Sequence, residues 1–111
     1  MKLTHVIRFV KNMDEAVAFY RDTLGLALKF QSPEWSEFAT GDTSLALHAS
    51  SERHPPGTAQ LGWGVSDLDA FYKEMTAKGV KFTLPPTRQD FGGTLAAFLD
   101  ADGAECSVGA H

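Results

Sequence analysis

Hydrophobic and polar positions alternate along the first strand-like stretch, residues 3–10. Leu3, His5, Ile7 and Phe9 fall on one face, and Thr4, Val6, Arg8 and Val10 on the other. The period then lengthens. Met13, Ala16, Val17, Tyr20 and Leu24 stand at i, i+3, i+4, i+7 and i+11, one stripe of a single helix. Asn12 with Glu15 reads as its N-cap pair, and Gly25 as its left-handed stop. Three further strands are expected at 27–31, 34–40 and 43–49, the last two joined by a turn at "TGDTS" (Thr40–Ser44).

The second half repeats this order. "LGWGV" (Leu61–Val65) is a strand, and Leu68, Phe71, Tyr72 and Met75 form the next helical stripe. Ser66 and Asp69 are its expected capping pair, and Gly79 its stop. Strands are expected again at 81–84, 94–100 and 105–109, with "DADG" (Asp100–Gly103) as a turn. "VKNMD" (Val10–Asp14) aligns with "VSDLD" (Val65–Asp69) at an offset of 55. The polar stretch "SSERHPPGTA" (Ser50–Ala59) separates the halves. The expectation is one α+β domain of two βαβββ modules, 1–50 and 60–111, with a linker over 51–59. The helix of each module covers one sheet face. The other faces, where His5 points, curve toward each other or toward a partner chain, and that concavity is the expected pocket.

Composition narrows the function. The 111 residues carry a formal charge of −4, which argues against a nucleic-acid or anionic-membrane surface. No apolar run approaches the roughly 20 residues that span a bilayer. The single cysteine, Cys106, cannot form an internal disulfide, and its alternation with Ser107 puts it in the core. A cytoplasmic setting is expected. No phosphate-binding glycine loop, Ser-His-Asp order or CxxC pair is present.

The stretches Thr4–Leu26, Val65–Phe82 and Phe91–Gly103 carry the words "FYRDTLGL" and "FGGTLAAFLDADG". In this order and spacing the chain resembles the vicinal oxygen chelate superfamily, which includes glyoxalase I, bleomycin-resistance proteins and extradiol dioxygenases. The resemblance implies paired βαβββ modules forming a curved mixed sheet, usually in a homodimer. It also implies a pocket that in many members holds a divalent metal, with ligands on the first and last strand of each module.

Those positions are mostly altered here. His5 fills the first. Alanine stands at the second, Ala46, and His48 lies two residues on, roughly 6–7 Å along the same face. Gln60 stands where the second module usually begins with histidine, and Ser107 where a glutamate is expected. Glu105 would be a displaced substitute. His5, His48 and Gln60 would make a neutral set of modest affinity for a divalent ion (Zn, Ni, Mn or Fe). No carboxylate is evident beside His5.

The first expectation is therefore a binding protein of the bleomycin-resistance type, without metal or other cofactor. It would hold a small aromatic or amphipathic molecule between aromatic walls and a few polar anchors. Trp35, Phe38 and Phe91 are the candidate walls. His5, His48, Gln60, Arg88 and Ser107 are the candidate polar groups. Trp63 is assigned to the core, and His54 and His111 to solvent. The alternative is a metal-dependent lyase, isomerase or dioxygenase with its ligand set altered around His5. A metal-free enzyme using His5 as acid or base ranks behind both.

Overall fold

The computed structural model describes Met1–Ala110. His111, expected in solvent, lies outside the described residues. The strands are β1 (Lys2–Val10), β2 (Ala27–Phe30), β3 (Trp35–Ala39), β4 (Ser44–Ala49), β5 (Ala59–Val65), β6 (Phe82–Arg88), β7 (Thr94–Leu99) and β8 (Glu105–Ala110). The helices are α1 (Met13–Ala18) and α2 (Leu68–Ala77). The class is α+β. The chain divides into two compact units, one over Thr4–Ala59 and one from Gln60 onward with Met1–Leu3.

In the first unit the strand order is β2-β3-β4-β1. From His5 to Val10, β1 runs parallel to β4, while β3 is antiparallel to both β4 and β2, so the sheet is mixed. One sheet face packs under α1. Val17, Phe38 and Leu47 are buried there, with Met13, Ala16, Tyr20, Leu28 and Leu45 around them. Each such side chain contributes about 1.5–3 kcal/mol by leaving water. This is the stripe that the 3.6-residue period predicts, with one correction. After Ala18 the chain makes a π-helical turn over Phe19–Thr23, closed by Leu24 N–H to Phe19 O at 3.0 Å. The wider turn rotates the register, and Leu24 ends 54% exposed rather than on the stripe. Asn12 caps α1 as expected, accepting from Glu15 N–H at 3.0 Å. Gly25 takes φ 76°, the left-handed stop.

In the second unit the order is β5-β8-β7-β6, with β5 parallel to β8 and the other pairs antiparallel. Its core is Val65, Leu68, Ala96 and Val108, joined by Trp63 and by Phe71, Phe82 and Phe98. The α2 cap is Asp67, not Ser66. Its carboxylate accepts from Ala70 N–H at 3.0 Å, because the helix begins at Leu68, the first residue of the apolar stripe and one residue later than a Ser66 cap implies. β6 also runs on through Pro85 and Pro86 to Arg88, past the expected end at Leu84.

Candidate functional site

The helix-free face of the first unit carries the densest chemistry. Alternation puts His5, Ile7 and Phe9 of β1 on it. Register then adds Ser44, Ala46 and His48 of β4, and Trp35 and Glu37 of β3. Its floor is apolar, with Ile7, Phe9 and Ala46 buried and Trp35 packed against them. Over this floor the rings form a row. Trp35 meets His5 edge-on at 5.8 Å between centroids and His48 edge-on at 5.9 Å. His48 lies 5.4 Å from Phe9, and Phe9 stacks on His54 at 4.3 Å. His54 therefore covers a buried ring instead of standing free in solvent.

The polar end of the row holds a residue that sequence reasoning missed. Glu37 Oε1 lies 2.7 Å from His5 Nε2. The carboxylate only accepts, so Nε2 carries a proton and donates it, and Nδ1 lies 3.0 Å from the Thr4 hydroxyl, within hydrogen-bond reach. Lys29 Nζ stands 4.0 Å from the same carboxylate oxygen and donates to Ser44 Oγ at 3.4 Å. Glu37 is mostly buried, its side chain 13% exposed against 32% for His5. β4 lies between β3 and β1, so the two backbones are about 10 Å apart. The side chains meet because the residue across from Glu37 on β4 is Ala46, which leaves the way clear. The position that lacks a carboxylate of its own thus admits one from the neighbouring strand. Counting back from the Thr40–Ser44 turn, Ala39 faces Ser44 and Glu37 faces Ala46; that register was the available signal.

The remaining candidates divide by unit and face. Trp35 and His48 join His5. Phe38 does not: it is fully buried on the α1 side, three positions from Trp35 and hence on the opposite strand face. Gln60 and Ser107 lie on the helix-free side of the second unit, where Ser107 is level with Gly62 and Ala97. Glu105 accepts from the Thr83 hydroxyl at 2.6 Å. Arg88 ends β6 in an exposed position. Phe91 is 73% exposed on the following loop, its ring folded against Gly93, where a Cβ would come within 2.6 Å of it. Cys106 is buried, and burial raises its thiol pKa above the ordinary value, with a hydrogen bond from Trp63 acting the other way.

The donor chemistry bears on a metal. His5 and Glu37 are one imidazole and one carboxylate already bonded to each other, and His48 donates Nδ1–H to Ala49 O at 2.7 Å. Among the described residues no three His, Cys, Asp or Glu side chains come together as a metal would require. The set does not fit the three-ligand arrangement of a catalytic metal site.

Two mixed-sheet βαβββ units in tandem, each with one face under a helix, define the class. The chain belongs to the Glyoxalase/Bleomycin resistance protein/Dioxygenase superfamily, whose family model matches residues 2–108. It is 30% identical over 105 residues to a bleomycin resistance protein of Klebsiella pneumoniae, covering 84% of this chain and 79% of that protein. Its fold is similar to a hypothetical protein, BH1468, from Bacillus halodurans (TM-score 0.85, 19% identity, 99% and 94% of the two chains). It is also similar in fold to a variant of Streptomyces coelicolor methylmalonyl-CoA epimerase in complex with 2-nitronate-propionyl-CoA (TM-score 0.82, 18% identity, 99% and 94%). Among the described residues no helix is long and apolar enough to cross a membrane.

Proposed function

We propose that this protein binds a small aromatic or amphipathic molecule on the helix-free face of the first unit and sequesters it, without a bound metal. The observation that carries the proposal is Trp35, held edge-on between His5 and His48 above an apolar floor. Aromatic walls supply area, and the Glu37–His5 pair supplies orientation at one end, as a small-molecule site needs. Glu37 Oε1 is taken by His5, which leaves Oε2 to accept from a ligand donor. The similarity to a bleomycin resistance protein supports a binding role. The working form in this proposal is a homodimer, which sedimentation velocity tests.

The experiment is a titration with 1-aminoanthracene, a neutral flat probe whose emission rises on leaving water. Saturable one-to-one binding that Trp35→Ala weakens at least about tenfold supports the proposal. Binding unaffected by Trp35→Ala overturns it.

A second reading is favoured by the 2.7 Å contact between His5 and Glu37. An imidazole oriented by a carboxylate is a competent acid or base, so an enzyme built around His5 gains the orienting partner it otherwise lacks. The separate metal-dependent alternative, a lyase, isomerase or dioxygenase with its ligand set altered around His5, draws no support from this contact, which already pairs the imidazole with the carboxylate. Elemental analysis of protein purified without chelator separates that alternative from the binder. Stoichiometric metal that is lost on His5→Ala would favour the enzyme.

A further inference from the structure

We propose that His54 is the internal occupant of a ring-sized subsite over Phe9, and that a flat fused aromatic ring of a bound molecule takes its place. The inference rests on the binding role proposed above and names the class of group bound at the far end of the row from Glu37.

The Phe9–His54 contact differs in kind from the others on this face. The rings are 4.3 Å apart and 9° from parallel, whereas the other ring pairs of the row lie 5.4–5.9 Å apart at 55–89°. Edge contacts build a wall; a parallel stack fills a slot. Phe9 is 4% exposed, so one ring face is spent on a residue from the linker. That linker is fixed through its backbone. Gly57 N–H donates to Phe9 O at 2.9 Å, and Phe9 N–H to Thr58 O at 3.0 Å. The Ser51 hydroxyl accepts from His54 N–H at 3.1 Å. Rotation about the first side-chain torsion of His54 takes the imidazole off Phe9 and leaves these backbone bonds in place.

The surroundings decide which group replaces the imidazole on Phe9. The slot is apolar beneath, with Ile7 and Ala46 beside Phe9. It continues through His48 to Trp35. A five-membered imidazole covers only part of a phenyl face, and a fused ring system covers all of it and extends toward His48. Glu37 is level with Ile7, two residues from Phe9, and its partner His5 stands four residues from Phe9 along β1, so the span from the polar anchor to the ring subsite is roughly 7–13 Å. A molecule filling both carries a hydrogen-bond donor at one end and a flat ring system at the other.

The test titrates 1-aminoanthracene into wild type, His54→Ala and His54→Phe, with the His54 ring protons followed by NMR in the wild type. In the free protein those protons are shielded by Phe9. At saturation they are expected to move to the position of an unstacked imidazole. His54→Ala, with the slot vacated, is expected to bind about five- to tenfold tighter than wild type. His54→Phe, which keeps a stacked ring, is expected to bind no tighter. Equal or weaker binding by His54→Ala, or His54 protons that stay shielded at saturation, overturns the inference. If wild type binds in a Trp35-dependent way and His54→Ala gains nothing, this inference falls and the binding proposal stands. If neither protein binds the probe, both fall.

Discussion

The two units share a strand order and a helix position, yet their helix-free faces have little in common. In the first, β1, β3 and β4 present His5, Phe9, Trp35, Glu37 and His48. In the second, the corresponding strands present Gln60, Gly62, Gly64, Ala97, Glu105, Ser107 and Gly109, with no aromatic ring among them and with Leu95 packed so closely on Gly109 that an added Cβ there would lie 3.0 Å away. The helix-covered faces, by contrast, do the same job in both. Val17, Phe38 and Leu47 in one and Leu68, Ala96 and Val108 in the other are buried apolar side chains under a helix. The repeat therefore fixes the fold on one side of each sheet and leaves the other side to vary, and in the first unit that side bears the ring row and the His5–Glu37 pair.

The sharpest way to break this division is to mutate both faces of β3. Phe38→Ala empties a fully buried site and is expected to cost about 3–5 kcal/mol in urea unfolding. Trp35→Ala is expected to cost much less stability and to abolish most probe binding. If the two swap, with Trp35 carrying stability and Phe38 carrying binding, the division fails. Ala46→Leu comes next. It puts bulk into the path between Glu37 and His5, with an overpacking cost of about 1–3 kcal/mol. The His5 Nε2–H proton resonance is expected to lose the downfield shift that a carboxylate partner gives it. Ala97→Val on the second unit's helix-free face should leave probe affinity within about twofold, since its neighbours across the strands, Gly62 and Ser107, offer neither a ring nor a charge.

Cys106 gives a smaller effect that sharpens the helix-covered side. Burial raises its thiol pKa in the folded state, so the reactive thiolate is disfavoured relative to the unfolded chain. Iodoacetamide at pH 8 is expected to modify native protein far more slowly than protein in urea. A thiol whose folded pKa is raised ionises first in the unfolded chain, so its contribution to stability is present below the ordinary thiol pKa and fades as pH rises through it. The smallest effect concerns the α2 cap. Asp67→Ala should cost about 0.5–2 kcal/mol, and Ser66→Ala a few tenths at most.

Much of the architecture is legible in the sequence because it obeys periods of 2 and 3.6. The strands, both helices, the Asn12 cap and the stops at Gly25 and Gly79 come from spacing and turn chemistry. The departures are local. The π-helical turn at Phe19–Thr23 preserves an apolar period in sequence while rotating Leu24 outward, so spacing alone does not reveal it. Phe38 shares aromatic character with Trp35, but an odd separation along a strand sends the two residues to opposite faces. Glu37 escapes a search confined to first and last strands, because its contact crosses from β3 to β1. His54 sits in a Pro- and Gly-containing linker that reads as solvated; its place over Phe9 depends on backbone bonds between the linker and β1 that no local pattern encodes.

Trp63 packs against the second unit's core, whereas the proposed binding role puts Trp35 against the bound molecule, and this division of the two tryptophans is open to direct measurement. Trp63→Phe leaves Trp35 as the sole tryptophan, and 1-aminoanthracene can then be titrated against its emission. Saturable one-to-one quenching of Trp35 is the predicted result. Probe binding that leaves Trp35 emission unchanged would contradict the account, because the molecule would then be held somewhere other than the face bearing His5, Glu37 and His48.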